Sequence, residues 1–199
     1  MNETDKEIIQ QVMEGNARAF GRLVDRHKAK AMALALRILR NQEDAEEALQ
    51  DAFIRVYKAL SSFGWKSSFS TWLYRIVYNT CITALGRRSN IERREIDADE
   101  ETGLPVALES DEPQPDVRME SDEFEKIVLS EIDKLPPSYG STFTLFAVQE
   151  MSYEEIVETM GLPLGTVKAR IFRARMMLRD SIVKRLGENI VLVKDKKED

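Results

Sequence analysis

The stretch SYEEIVETMGLPLGTVKARIFRARMMLR, residues 152–179, decides the fold of the C-terminal half of this chain. Ser152 followed by Glu155 spells a capping box, in which each side chain satisfies a backbone donor that a helix start leaves unpaired. The short helix it opens runs into Gly161, a residue suited to the left-handed turn of a helix end, and Pro163 confirms the stop. Thr166 then begins a longer helix, expected to reach about residue 186. Two helices joined by a tight turn containing glycine form a helix-turn-helix. Val167, Ile171, Ala174 and Leu178 share one side of the second helix and are expected to pack on Ile156, Met160 and Leu162. Lys168, Arg170, Arg173, Arg175 and Arg179 make it basic, with no acid between Thr166 and Asp180. A basic N-terminal half on the second helix is the geometry with which such motifs enter the major groove, where Arg and Lys reach guanine edges or neutralise phosphates. A solvated basic face in a generic bundle is the plainer reading of such a helix. The capped helix and tight turn in front of it favour the groove.

Outward from this motif the pattern stays helical, with no convincing alternation of period two. Helices are expected near 123–135, stopped by Pro136 and Pro137, and near 139–149. In the N-terminal half they are expected near 4–14, stopped by Gly15, near 17–40, from 43 to 60 behind Asn41 as N-cap, and near 69–87. Phe20, Val24, His27, Ala31, Leu34 and Ile38 line one face of the second. Ala45, Ala48, Leu49, Ala52, Phe53, Val56, Tyr57 and Leu60 form a broad apolar stripe on the third. Four helices of this size suffice for a small bundle core. The expected fold is therefore all-α, with two small helical domains, 1–94 and 123–187, joined by an acidic linker at 95–122 and followed by a charged tail at 188–199.

The linker emerges from the charge distribution. The net charge of the 199 residues is −6, yet residues 1–94 balance to +5, residues 95–125 to −12 and residues 126–199 to +1. With three prolines, many carboxylates and no sustained periodicity, the central strip reads as extended or disordered. The acidic total is thus a property of the linker and does not argue against a nucleic-acid partner. Cys81 and His27 each stand alone, which removes disulfides and makes zinc clusters and histidine-based triads improbable. Both read as packed side chains, Cys81 as a small buried hydrophobe. No Gly-rich phosphate loop is present, so neither a cofactor nor catalysis is expected. No apolar run approaches the roughly 20 residues that span a bilayer. The polar, acidic start is no secretory signal, and a reducing cytoplasm is the expected location.

FGWKSSFSTWLYRIVYN, residues 63–79, is rich in aromatics with Lys66 and Arg75 interleaved. Aromatic faces beside cations suit unstacked single-stranded bases. Phe69, Trp72, Leu73 and Ile76 fall at helical spacing and read better as core. Trp65, Tyr78 and Asn79 are the better contact candidates, and Arg87, Arg88, Arg93 and Arg94 extend a basic track. Glu43, Asp44, Glu46, Glu47 and Asp51 crowd the first half of the third helix. Acids there suit the helix dipole, and they equally suit a docking surface.

The same residues carry a family resemblance. NQEDAEEALQDAFIRVYKAL (41–60) followed by SSFSTWLYRIVYNT (67–80) resembles conserved region 2 of the extracytoplasmic-function (ECF) sigma factors, in the sigma-70 family. Residues 152–179 resemble their region 4, and with the linker the likeness spans about 17–185. It implies a promoter-specificity subunit that binds core RNA polymerase, aids promoter opening and directs initiation, in a stress or envelope response under an anti-sigma factor. Region 2 would dock on the β′ clamp helices through Asp44, Glu47, Gln50 and Asp51. The −10 element would meet Trp65, Lys66, Ser67, Ser68, Phe69, Ser70, Arg75, Tyr78, Asn79, Arg87 and Arg88. Its single strand would have one base flipped into the loop around residues 66–70 and another read by Asn79. The duplex −35 element would meet Thr166, Lys168, Ala169, Arg170, Phe172, Arg173 and Arg175, with region 4 also near the β flap. The linker would thread toward the active-site and RNA-exit channel. One helix departs from the family: Phe146 stands where a basic residue is usual, Glu150 where glycine is usual, and Arg is missing near Gly140. Its apolar surface suits a protein partner, such as an anti-sigma factor, better than a DNA backbone.

The competing reading is a stand-alone helix-turn-helix regulator with the N-terminal bundle as a dimerisation or ligand module. The aromatic segment 61–79 separates the two, because a protein that reads only duplex has no use for a single-strand platform.

Overall fold

Each helix start and stop has a local cause. The computed structural model describes the backbone of residues 3–88 and 121–195, and side chains within 3–86 and 127–186. The first helix, α1 (Asp5–Met13), opens on a capping box between Thr4 and Glu7. Gly15, at φ +101°, turns the chain into α2 (Ala19–Leu39). Arg40 takes a left-handed conformation, and Asn41 then caps α3 (Gln42–Ala59) by accepting a hydrogen bond from Asp44 N–H at 3.0 Å. This two-residue connection folds α3 back against α2. A single 3₁₀ turn, Leu60–Ser62, leads to the loop before α4 (Phe69–Arg88), whose start is tied by Ser68 Oγ accepting from Thr71 N–H at 3.1 Å.

The C-terminal array begins with α5 (Ser121–Lys134). Pro137 occupies the first turn of α6 (Pro137–Phe143), where its missing N–H leaves no intrahelical bond unmade. The α6 helix widens into a π turn over Thr144–Val148 and ends at Glu150, which has φ +57°. The expected helix 139–149 is thus interrupted, and the residue found where the family has glycine adopts the conformation that glycine would favour. The Ser152/Glu155 capping box opens α7 (Tyr153–Met160), Gly161 ends it at φ +69°, and α8 (Leu164–Asp195) follows. The last helix runs nine residues beyond the expected 186, so the stretch from 188 to 195 continues the helix where a separate tail was expected. All regular elements among the described residues are helical.

Helices α1 to α4 form a bundle around Leu23, Leu34, Val56, Leu73 and Val77, all closed to solvent. His27 and Cys81 are part of this interior, as their isolation in the sequence suggests. His27 Nε2 lies 2.8 Å from the Asp5 carboxylate, and this hydrogen bond, the largest cause, holds the Asp5 carboxyl below its ordinary range. Burial pushes the Cys81 thiol up to about 12, leaving it protonated and unreactive. Tyr57, expected in the stripe, is exposed, with its ring edge-on to Phe20 at 5.0 Å.

In the second array, α7 and α8 cross as the helix-turn-helix. Val167 and Ile171 pack with Ile156 and Met160, while Ala174 and Leu178 turn instead to Ile132 of α5, Tyr139 of α6 and Leu135 between them. The two arrays are docked. Helix α6 and the π turn lie on α2, α7 lies on α4, and one continuous apolar core joins Leu145, Met151 and Ile156 to the N-terminal bundle. The apolar helix around 139–151, expected to serve a partner, is largely covered by α2 and α8: Tyr139, Gly140, Ser141, Thr142 and Leu145 are buried. The expected acidic linker lies outside the described residues, apart from the first two residues of α5, and so do the side chains of Arg87, Arg88, Arg93 and Arg94.

Candidate nucleic-acid interface

On α8, packing divides the basic residues by periodicity. Lys168, Arg175 and Arg179 are exposed. Thr166, Ala169, Phe172 and Arg173 are half-buried beside them, and Arg173 Nη1 donates to Tyr139 Oη at 3.2 Å. Arg170 corrects the sequence expectation. It is 4% exposed, because it stands one residue before Ile171 and three after Val167, on the flank of the packed stripe. Its guanidinium belongs to the interior, where charged groups occur only with partners.

A second feature of this surface had no clear signal in the sequence. The rings of Phe146 and Tyr153 are stacked at 5.4 Å and 11°. Lys168 Nζ lies 5.9 Å from the Tyr153 centroid, and the Arg175 guanidinium lies 5.2 Å from that of Phe146. Two exposed cations of α8 are thus held along an aromatic pair, each contact worth roughly 0.5–1 kcal/mol at the surface. The departure at Phe146 places a ring where the family has a charge, and that ring borrows the charge of Arg175. Spacing alone did not reveal it, because the pair is brought together by the π turn and the capping box.

The aromatic segment before α4 divides in the same way. Phe63, Trp72 and Phe69 pack on one another, with Phe63–Trp72 centroids at 4.9 Å and Phe69–Trp72 at 6.0 Å. Phe69 is buried against His27 at 5.3 Å and Tyr78 is also buried, so both leave the set of open contact residues. Trp65 stays 48% exposed, 4.8 Å from Phe63, at φ +56°. A left-handed conformation is rare for a bulky residue and tends to be held where a site requires it. Lys66, Ser68, Arg75 and Asn79 are exposed, Ser67 and Ser70 half-buried. Ser68 Oγ is within 2.9 Å of Ser70 Oγ and 2.7 Å of Thr71 Oγ1, so these hydroxyls form one network. The result is a projecting indole beside a packed aromatic base, with the exposed cations Lys66 and Arg75 on the same loop and helix.

Glu47, Gln50 and Asp51 are exposed on α3 and Asp44 is half-buried. With Arg55, Thr80 and Thr83 the three acids line a shallow depression between α3 and α4. Ile54 is also exposed, one turn beyond Gln50 and Asp51. An apolar side chain amid acids was masked in the sequence by the helical pattern around it. Among the described residues no group of His, Cys, Asp and Glu is arranged to hold a metal ion.

Residues 23–91 match the family model for sigma-70 region 2, and residues 125–178 match that for sigma-70 region 4. An ECF RNA polymerase sigma-E factor of Haemophilus influenzae is 38% identical over 183 residues, covering 90% of this chain and 95% of the relative. Among solved structures, that of CnrH in complex with the cytosolic domain of CnrY is similar at a TM-score of 0.59 and 25% identity, covering 92% of this chain and 99% of that one. The sigma factor RpoE of Bartonella quintana, in complex with the anti-sigma factor NepR, shares the fold at a TM-score of 0.56 and 21% identity, covering 82% of this chain and 96% of that one.

Proposed function

The chain belongs to the ECF sigma factors of the sigma-70 family, and from that premise we propose how its surfaces divide the work of promoter-specific initiation. It acts as a specificity subunit: it binds core RNA polymerase, recognises promoter DNA and directs where transcription starts. It brings no chemistry of its own. No helix among the described residues is long and apolar enough to cross a membrane, and the protein works beside the polymerase, in the cytoplasm.

One observation carries the division of labour: a basic recognition helix and a projecting aromatic-cation loop on the same chain. Lys168, Ala169, Phe172 and Arg173 read the −35 duplex, with Thr166 and Arg175 at its backbone. Phosphate contacts set the register and base contacts the sequence. Trp65, Lys66, Ser67, Ser68 and Ser70 hold the unpaired non-template strand of the −10 element, with Arg75 on its backbone and Asn79 on an upstream base. Arg87 and Arg88 continue the track. Stacking contributes roughly 1–3 kcal/mol per base, enough to trap a strand that is only transiently unpaired. Asp44, Glu47, Gln50 and Asp51 take the β′ clamp helices, with Ile54 as an apolar anchor among them, while region 4 meets the β flap. The acidic linker lies in the polymerase channel, where its carboxylates suit a basic wall. An anti-sigma protein controls the factor, in keeping with the complex formed by the Bartonella quintana relative.

Run-off transcription with core polymerase over a genomic promoter library tests this reading. Specific transcripts are expected with the chain and none without it. On a promoter so identified, Trp65→Ala is expected to slow opening by about fivefold or more, from about 1–3 kcal/mol of lost stacking, at unchanged duplex affinity. Absence of any specific start site would sink the assignment, and an equal loss of duplex binding would overturn the role of the loop.

A further inference from the structure

We propose that the stacked rings of Phe146 and Tyr153 are a clip that aims two cations of the recognition helix, with Phe146 the positioning residue for Arg175 at the −35 backbone. This rests on the assignment of α8 to the −35 duplex and adds to it a residue that acts only through Arg175.

The clip stands on anchored backbone. Phe146 follows Leu145, which is closed to solvent, inside the π turn Thr144–Val148. Gln149 N–H donates to the Thr144 carbonyl at 3.0 Å and Met151 N–H to the Leu145 carbonyl at 3.1 Å, which ties the turn. Tyr153 is the first residue of α7, directly behind the Ser152 cap, whose Oγ accepts from Glu155 N–H at 3.2 Å. Lys168 and Arg175 are seven residues apart on α8, about two helical turns, so one flank of the helix brings both to the rings. Val167 and Ala174, the residues just before them, are buried and fix that flank in place.

Arg175 needs such a hold. Its neighbours one turn away on α8 are Ile171, Phe172, Leu178 and Arg179. None of these is an acid that would draw the guanidinium in, and Arg179 repels it. An exposed arginine in that setting keeps many rotamers, and ordering it on binding costs free energy. The Phe146 ring, 5.2 Å from the guanidinium, orders it beforehand. An acidic partner would do so by occupying N–H donors and cancelling the charge. A π face attracts the cation and leaves its donors free for a phosphate. Phe146 can act in this way because it is itself held, half-buried and stacked on Tyr153 at 5.4 Å.

The test is a double-mutant cycle on the full chain bound to core polymerase. The probe is a fluorescent duplex carrying the −35 element of a promoter active in run-off. Phe146→Leu keeps an apolar side chain but removes the ring, and is expected to weaken duplex binding about two- to fivefold. Phe146→Tyr, which keeps the ring, is expected to restore wild-type affinity. In an Arg175→Gln background, Phe146→Leu is expected to cause no further loss. Equal losses with and without Arg175 overturn the clip, since they report the fold or a direct contact of the ring with DNA. Phe146→Leu at wild-type affinity also overturns it, and so does Phe146→Tyr as weak as Phe146→Leu. Arg175→Gln at wild-type affinity overturns instead the placement of Arg175 at the −35 backbone, and wild-type holoenzyme that does not bind the duplex overturns the assignment of α8 itself.

Discussion

Arg170 and Arg173 stand on the same helix, less than one turn apart, with opposite surroundings. Arg170 is closed to solvent beside Val167 and Ile171, while Arg173 reaches the rim of the basic face and the Tyr139 hydroxyl. Truncating them therefore separates fold from recognition. Arg173→Ala is expected to weaken −35 duplex binding by about 1–3 kcal/mol with little change in the urea midpoint. Arg170→Ala is expected to lower the midpoint, by roughly 1–3 kcal/mol in stability, because it strips a charged partner from the interior. Filter binding and urea titration of both variants distinguish the cases, and equal DNA defects at equal stability would return Arg170 to the reading set. The sequence shows both arginines as members of one cationic run. Their difference lies in a rotation of about 100° per residue combined with the width of the covered stripe, and that width is set by neighbours elsewhere in the chain. Thr71 shows the same limit. At the third position of a helix it reads as a capping-network residue, and nothing local announces that its hydroxyl faces an acid from the other domain.

At the scale of elements, caps and clamps decide how firmly the recognition helix is held. One turn after another in the helix-turn-helix begins or ends where the sequence says it should, because capping chemistry acts within three residues. The clamp between α5 and α8 is less visible. Glu131, 1% exposed, binds Lys134 Nζ at 2.7 Å, Ser181 Oγ, and Arg185 Nη1 at 2.6 Å. These hydrogen bonds, that of Lys134 foremost, hold its carboxyl down at about 2, against an ordinary 4.5. A depressed folded pKa means stability that is complete above the unfolded value and lost as pH falls through the folded one. Glu131→Ala is thus expected to cost about 1–3 kcal/mol at neutral pH, the loss of charge-assisted hydrogen bonds whose cations, Lys134 and Arg185, remain open to solvent. The gap from wild type should hold down to about pH 4.5 and close toward pH 2. Denaturant titrations across that window measure it, and a gap independent of pH would remove the ionic clamp. The π turn is the element the sequence conceals most fully. Its apolar residues fit an ordinary helix, and only the packing of Leu145 and Gln149 on α2 explains why the helix widens there.

Across the whole molecule the shared core makes the two arrays interdependent. Leu145, buried in α6's continuation, packs within the same apolar interior as Leu34 and Leu73. A continuous core favours all-or-none unfolding. The free chain is expected to melt in one calorimetric transition, and Leu145→Ala to shift all of it, at a cost of about 2–5 kcal/mol. Two separate transitions in the wild type, only one of them moved by the substitution, would show that the arrays do not stabilise each other. Charge is organised on the same scale. The acidic total resides between the arrays, so the basic faces of α4 and α8 keep their attraction for DNA.

The sequence by itself determined the all-α class, the capped helix-turn-helix, the buried roles of His27 and Cys81, and the family. All of these rest on interactions spanning a turn or two, or on motifs read residue by residue. The tertiary structure alone decided that Arg170, Phe69 and Tyr78 are interior, that Phe146 and Tyr153 stack beneath two cations, and that the first helix of the helix-turn-helix packs on α4. The physical reason is separation along the chain. Thr71 and Glu155 are 84 positions apart, and no local rule of capping or periodicity reaches that far. The two arrays meet through side chains far apart in the sequence. Their docking comes from a hydroxyl, a guanidinium and a row of apolar side chains that the fold brings face to face.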